Sequence, residues 1–259
     1  MNQLVLSALL AVGLFFALLL AQYAGRALGK WRLERSGEDA TVGAGAVEGA
    51  AFALLGLLLA FTFSGADARL QHRRDLIIEQ VNALGTAWMR LDLRPAADQP
   101  AIRSLFKRYV DDLQKAAANS GDPGAVAVIA ADLQVLQNQI WRECVASVNR
   151  DGRPQVASLL LPPLNDSFDL STSRIAASRI HVQPAVIAFL LGLSVVAGFL
   201  AGHAQASAKR PSLVYMLIFA ALISATIYFI MDFEYPRRGL VTLKSADAFM
   251  NELRTSLND

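Results

Sequence analysis

The chain has 259 residues, 54% of them hydrophobic, and its 24 basic and 22 acidic residues leave a net charge of +2. A mean hydropathy of +0.37 is too apolar for an ordinary soluble domain. The charges are scattered, so no basic run with interleaved aromatics marks a nucleic-acid surface, and the single cysteine, Cys144, excludes an internal disulfide.

Apolar runs long enough to cross a bilayer occupy 4–21, 43–64, 184–201 and 212–230. The first lacks a positively charged lead-in, and the residues around Gln22 and Tyr23 make no small-residue cleavage site. It reads as a retained membrane helix rather than a signal peptide. YAGRALGKWRLERSGEDAT follows as a short polar loop carrying Arg26, Lys30, Arg32 and Arg35, with Tyr23 and Trp31 suited to headgroup depth.

The second run continues into a charged amphipathic stretch with no proline before Pro95, which predicts one helix on the order of 75 Å long at about 1.5 Å per residue. Around this helix the rest of the chain is organised. With about 100° per residue, Leu55, Leu59, Thr62, Ala66 and Arg73 share a sector with Glu48. Ile77, Val81, Leu84, Trp88 and Leu91 continue nearly the same sector at steps of four and three, the spacing of a coiled-coil seam. Beside it, Gly45, Gly49, Ala53, Gly56 and Ala60 form a stripe of small residues that lets another helix approach closely. Both stripes can pack on the chain's own helices, or one can face an axis between subunits. A domain of about 120 residues has few helices with which to cover the seam, so the seam is the expected homo-oligomer contact.

Between Pro95 and Pro184 the pattern is helical and water-facing. Asp98 is the expected N-cap of a helix carrying Ile102, Leu105, Phe106, Tyr109, Val110 and Leu113. Asp122 and Pro123 open the next helix, whose apolar line runs Val126, Ile129, Leu133, Leu136, Ile140, Cys144 and Val148 and which ends near NRDGRP. LLLPPLNDSFDLSTSRIAASRIHVQP is expected to be helical from about Leu164. The last two runs form a hairpin around HAQASAKRP, and the tail after MDFEYPRRGL carries one short amphipathic helix. The organisation predicted is a first transmembrane hairpin over 1–64, a helical extramembrane domain over 65–183, a second hairpin over 184–231 and a tail over 232–259.

No motif supports catalysis. His72, His181 and His203 are far apart, with no metal-ligand neighbour at i+3 or i+4, and there is no G-x-S-x-G, phosphate-cradling glycine loop or paired cysteine. The expectation is a protein that is not an enzyme and holds no metal or cofactor. Glu48 lies about 7 Å inside the second run by helical rise. It either pairs with a basic residue of the preceding loop or faces a water-filled path. Asp232, Glu234, Arg237 and Arg238 flank the end of the last run, as interfacial anchors or as a charged ring or latch at a pore mouth.

The segments VEGAAFALLGLLLAFTFSGADARLQHRRDLIIEQVNALGTAWMRLDLRP, LLLPPLNDSFDLSTSRIAASRIHVQP and MDFEYPRRGL together resemble the bacterial bestrophin-like family. Glu48, Phe61, Phe63, the Arg90–Leu93 end and Pro236 to Gly239 carry most of the likeness. The family is remotely similar to bestrophins, pentameric ion channels with four spans per subunit, a helical water-facing domain and an apolar neck on the second span. The resemblance implies an all-α integral membrane protein of the cell inner membrane, with the helical domain continuous with the second span. It implies a homo-oligomeric channel for inorganic ions in the lipid bilayer. Phe52 to Phe63 would stand at the neck, and Glu48, Phe52, Leu55, Leu59, Thr62 and Phe63 would line the path. Arg73, Asp232, Glu234, Arg237 and Arg238 would lie at its mouths. The acidic calcium clasp of animal bestrophins is absent, so calcium gating is not expected. The alternative is a membrane scaffold or sensor whose helical domain binds a protein partner. Basic residues in the short loops place the helical domain outside the cytoplasm by first-helix dominance. The resemblance places it inside, and that side is favoured.

Overall fold

The computed structural model describes residues 3–36, 44–119, 122–208, 212–237 and 239–257. Every element among them is helical: α1 (Gln3–Ser36), α2 (Ala44–Arg90), a 3₁₀ turn (Leu91–Leu93), α3 (Gln99–Ala118), α4 (Pro123–Asp151), α5 (Pro154–Arg179), α6 (Pro184–Ala204), α7 (Leu213–Glu234) and α8 (Lys244–Ser256). Four of these stretches are long and apolar enough to cross a membrane. The expected all-α architecture with four spans is what forms. The chain divides into two compact units, one made of Met1–Leu70 and His181–Leu240, the other of Gln71–Ile180 and Val241–Asp259.

The first unit, the membrane unit, holds α1, the N-terminal half of α2, α6 and α7. Glycine dictates how closely two of these helices approach. A Cβ on Gly25 of α1 would lie 1.9 Å from the Phe199 carbonyl oxygen, and one on Gly202 of α6 would lie 1.9 Å from that of Gln22. Gly25 with Gly29, and Gly198 with Gly202, are four apart, so each helix presents a small-residue groove to the other. Gln22, fully buried, donates to the Met216 carbonyl of α7 at 3.2 Å. By contrast α2 is joined to its neighbours by long side chains rather than close backbone approach. Leu9, Val12, Phe16 and Leu20 of α1 and Tyr215, Ile218 and Leu222 of α7 are exposed, as helices that meet lipid require.

One expectation fails here. The segment with Arg26, Lys30, Arg32 and Arg35 is not a loop: α1 continues through it to Ser36. Its Arg, Ala, Leu and Lys residues favour helix, and no proline interrupts them. Arg26 reaches the Gln205 and Ala208 carbonyls, at 3.3 and 2.7 Å, just beyond the C-terminus of α6. A cation is favourable there because helix-end carbonyls lack donors.

The second, helical unit packs the C-terminal half of α2 with α3, α4, α5 and α8. Leu84, Leu91, Ile102, Phe106, Ile140, Cys144, Leu160 and Met250 form its core. The tail, expected to be a separate segment, joins this core through Met250 of α8 and Leu257 just past its end. Asp122 caps α4 as predicted, accepting from the Gly124 and Ala125 amides at 2.9 and 3.2 Å. Asp98 precedes α3 but makes no side-chain cap. Its carboxylate instead accepts from the Ser147 hydroxyl at 2.5 Å and from Arg150 at 2.9 Å. The Ser147 hydrogen bond, more than the arginines, holds that carboxyl below the usual carboxylate range.

The helix expected from about Leu164 begins ten residues earlier, at Pro154, with Pro162 and Pro163 inside it. Pro163 has no N–H to give the carbonyl four residues back, which is Leu159. Arg90 of α2 supplies the missing donor to that oxygen. The carbonyl the proline strands is thereby satisfied from another helix.

Candidate functional site

Two buried ionic clusters of the membrane unit involve α2. Near its start, the Glu48 carboxylate lies 3.1 Å from Nδ1 of His203 on α6, and both side chains are largely buried. Near the end of its membrane half, Arg69 grips Glu234 of α7, donating through Nε at 2.9 Å and Nη2 at 2.5 Å. Glu234 has no exposed side-chain surface. Its second oxygen accepts from the Val182 amide at 3.2 Å and lies 3.5 Å from Nδ1 of His181. The His181 ring is 4.6 Å from that of Tyr235. Glu48 and Arg69 are 21 residues apart on one helix, about 32 Å by helical rise. That matches the roughly 30 Å of a bilayer's hydrocarbon core. The two clusters therefore bracket the apolar part of α2, each buried enough in protein that an unpaired charge there would be costly.

The other residues expected to line or guard a path divide as follows. Leu55 and Leu59 are 2% and 6% exposed and belong to the core of the membrane unit. This takes them off the surface of the single chain. Phe52 meets Phe219 of α7 edge-on with centroids 6.1 Å apart, and Phe63 meets Phe233 at 5.1 Å. Phe52, Leu55 and Leu59 border an open apolar cleft of about 340 Å³ with Gly56, Phe219 and Ile223. The Thr62 hydroxyl donates to the Leu58 carbonyl at 2.7 Å, a bond within its own helix. Asp232 is buried, so close to Gly239 that a Cβ there would meet its Oδ1 at 1.3 Å. Arg237 is half-buried. Arg238 lies outside the described residues.

In the helical unit, Arg73 is buried and serves as a helix cap. Its guanidinium donates to the Ala177 and Ile180 carbonyls at 3.1 and 2.8 Å, closing the C-terminus of α5. The three-four seam is covered by helices of its own unit. Ile77, Leu84 and Leu91 are at most 2% exposed, and Val81 and Trp88 pack against the core. The expectation that too few helices exist to cover it does not hold, because residues of α3, α4, α5 and α8 share one core with Leu84, Ala87 and Leu91.

Beside the exposed Val47, Leu54, Leu57 and Phe61, a small-residue face of α2 in the membrane unit is also uncovered. Gly45, Gly49, Ala53, Gly56 and Ala60 are all exposed, and a Cβ on any of the three glycines would meet nothing within 4 Å. Among the described residues no group of His, Cys, Asp and Glu is placed to hold a metal ion.

Sequence reading found Glu48 and Glu234 but not their partners His203 and Arg69, which lie 155 and 165 positions away. The signal available was shared membership of the segments that carry the family likeness. GADARL, RIHVQP and MDFEYP supply Arg69, the His181–Val182 pair and Glu234. Comparison with curated proteins finds no match, and comparison with solved structures finds none. A family model described as a Bestrophin-like domain matches residues 31–248, from the last turns of α1 into α8. The match spans both ionic clusters, the glycine-lined packing of α6 and the arginine-capped prolines of α5. This four-span, multi-pass membrane chain belongs to the Bestrophin-like family.

Proposed function

We propose that the chain assembles as a homo-oligomeric ion channel of the cell inner membrane, with α2 lining the conducting path. The observation that carries this reading is the uncovered small-residue face of α2. Helices that meet lipid gain by presenting large apolar side chains, as α2 does on its adjoining sector with Val47, Leu54, Leu57 and Phe61. Gly45, Gly49, Ala53, Gly56 and Ala60 span only about 80° beside that sector, and Ser64 and Asp67 continue their line. A face this small and partly polar suits a second copy at close range or a water-filled axis better than acyl chains. Membership of a family that includes ion channels points the same way. By analogy with bestrophins the assembly is a pentamer, with the helical unit on the cytoplasmic side.

In this reading the walls are Gly49, Ala53, Gly56 and Ala60, and the Glu48–His203 pair lies behind one end of them, on the face that Leu55 and Leu59 share. Leu55 and Leu59 act from behind, holding α2 against its own subunit. Purified protein in a planar bilayer tests it. Ala53→Cys should become sensitive to a charged thiol reagent that leaves the outward Leu222→Cys current unchanged. Glu48→Gln should shift permeability modestly toward anions, because it removes one negative charge per subunit from just behind the wall. Currents indifferent to both changes would remove α2 from the path. No current under any voltage, pH or calcium condition would hand the chain to the scaffold reading. A C-terminal phosphatase fusion active in the periplasm would reverse the orientation.

A further inference from the structure

The helical unit carries a second concave site, which owes nothing to the membrane face of α2. An open cleft of about 610 Å³ runs along α3 from its first turn at Gln99 to Asp111 and is closed on one side by Arg254 of α8. Arg103, Lys107, Arg108 and Arg254 surround it, with Asp111 as the one carboxylate among its walls. Four cations on one concavity repel one another, and two neighbouring carboxylates, Asp92 and Asp111, offset that cost only in part.

Two of the four are fixed in place. The Arg103 guanidinium lies 4.3 Å from the centroid of the Trp88 ring and pairs with Asp92 at 2.5 Å. Arg254 is held by both oxygens of Asp111, at 2.5 and 3.2 Å. That pairing raises its pKa further, so it stays charged. The other two are uncommitted: among the described residues neither Lys107 nor Arg108 has a carboxylate within ion-pair distance. The Lys107 ammonium is 5.7 Å from the Trp88 ring, on the side of α3 that Arg103 shares. The cleft also receives the N-terminal end of α3, where backbone N–H groups lack intrahelical acceptors.

We propose that this cleft binds a small phosphorylated anion, its phosphoryl oxygens held by Lys107 and Arg108 against the fixed guanidinium groups of Arg103 and Arg254. The chemistry matches. A phosphoryl group carries about two negative charges and three acceptor oxygens, an arginine fork engages two of them, and a lysine adds a point charge. The volume exceeds what one phosphate fills and falls within the roughly 300–1,000 Å³ of small-molecule sites, leaving room for the group that carries the phosphate. The same phosphoryl chemistry is offered by a soluble metabolite or by a lipid headgroup.

The full-length protein in detergent is titrated calorimetrically with inorganic pyrophosphate and, separately, with dihexanoyl phosphatidate. One site per chain is expected. Lys107→Ala and Arg108→Ala should each weaken binding about tenfold, the loss of one charge-assisted contact. Lys115→Ala, on the same helix but paired with Asp112 at 2.6 Å, should bind like the unmodified protein. Tighter binding of the phosphatidate, lost in the same two variants, assigns the phosphate to a lipid headgroup. Equal or tighter binding of pyrophosphate assigns it to a soluble ligand. Failure of both probes to bind overturns the site, and so does binding that Lys107→Ala, Arg108→Ala and Lys115→Ala leave alike. Both target side chains lie at the cleft surface rather than in the core, so the variants are expected to fold. Channel currents are not the readout, which keeps the outcome separate from that of the α2 proposal.

Discussion

Arg69 and Glu234 pair inside the membrane unit, with 2.9 Å between Nε and the carboxylate and no exposed surface on the Glu234 side chain. Such a pair is weak evidence of net stabilisation, because two charges have left water to make it. Breaking it from one side is another matter. Arg69→Ala leaves a buried carboxylate without its guanidinium, beside the Val182 amide and His181. We expect a loss on the order of 2–3 kcal/mol, discounted from the fully buried case because Arg69 is itself 30% exposed. Glu234→Gln in the Arg69→Ala background should recover part of it by removing the stranded charge. Thermal unfolding in detergent of the two single variants and the double variant measures this. Equal stability of Arg69→Ala and the unmodified protein would make the pair incidental.

Close packing of α1 on α6 yields a sharper test. The atoms facing Gly25 and Gly202 are backbone oxygens at 1.9 Å, which cannot rotate away. Gly25→Ala and Gly202→Ala must therefore push the helices apart, at a cost of about 2–3 kcal/mol or more, or prevent folding. Gly192→Ala, also on α6 but with nothing within 4 Å of its Cβ, should be neutral or slightly stabilising. Yield and melting temperature of the three variants decide the matter. Similar behaviour of all three would refute the close approach.

Arg90 and Pro163 should be energetically coupled. The arginine serves a carbonyl that only the proline strands, and the bond lies near the surface, where water can take its place. Arg90→Ala is then expected to cost about 1 kcal/mol in the natural sequence. It should cost less beside Pro163→Ala, which restores the backbone donor. A double-mutant cycle with a coupling of about 0.5 kcal/mol or more supports this; strict additivity opposes it.

Cys144 should be chemically silent in the folded protein. Burial pushes its thiol up to about 12, far from the roughly 8.5 of a free cysteine. At pH 8 a disulfide reagent should label it only after denaturation. The sign of the linkage follows. The folded state keeps the proton that the unfolded chain begins to lose near pH 8.5, so this contribution to stability is present below that pH. It fades as pH rises toward about 12. Prompt labelling of the native protein would contradict the buried position. Silence also leaves the cysteines introduced at Ala53 and Leu222 as the sole reporters in the bilayer experiment.

The sequence by itself determined the secondary structure and its membrane character. Four long apolar runs, the Asp122–Pro123 start of α4 and the proline limits of α2 and α6 are local features, and local chemistry decides them. It also located Glu48 and Glu234, since a carboxylate in or beside an apolar run is conspicuous. It misjudged the segment after the first span, where basic residues look like a loop but favour helix. It misjudged the start of α5, where two prolines look like a break until a distant arginine repairs it.

Only the tertiary structure decided which faces are covered. Periodicity places Leu55, Leu59, Leu84 and Leu91 on one stripe of α2, but an apolar stripe carries no label for what buries it. Here helices of the same chain bury it, while the small-residue stripe and the large apolar side chains beside it stay open. The partners of the charges were equally out of reach of sequence. Which residue compensates a buried charge depends on Coulomb energy at a few ångströms, and pairs such as Glu48–His203 and Arg69–Glu234 come within that range only when α6 and α7 pack beside α2.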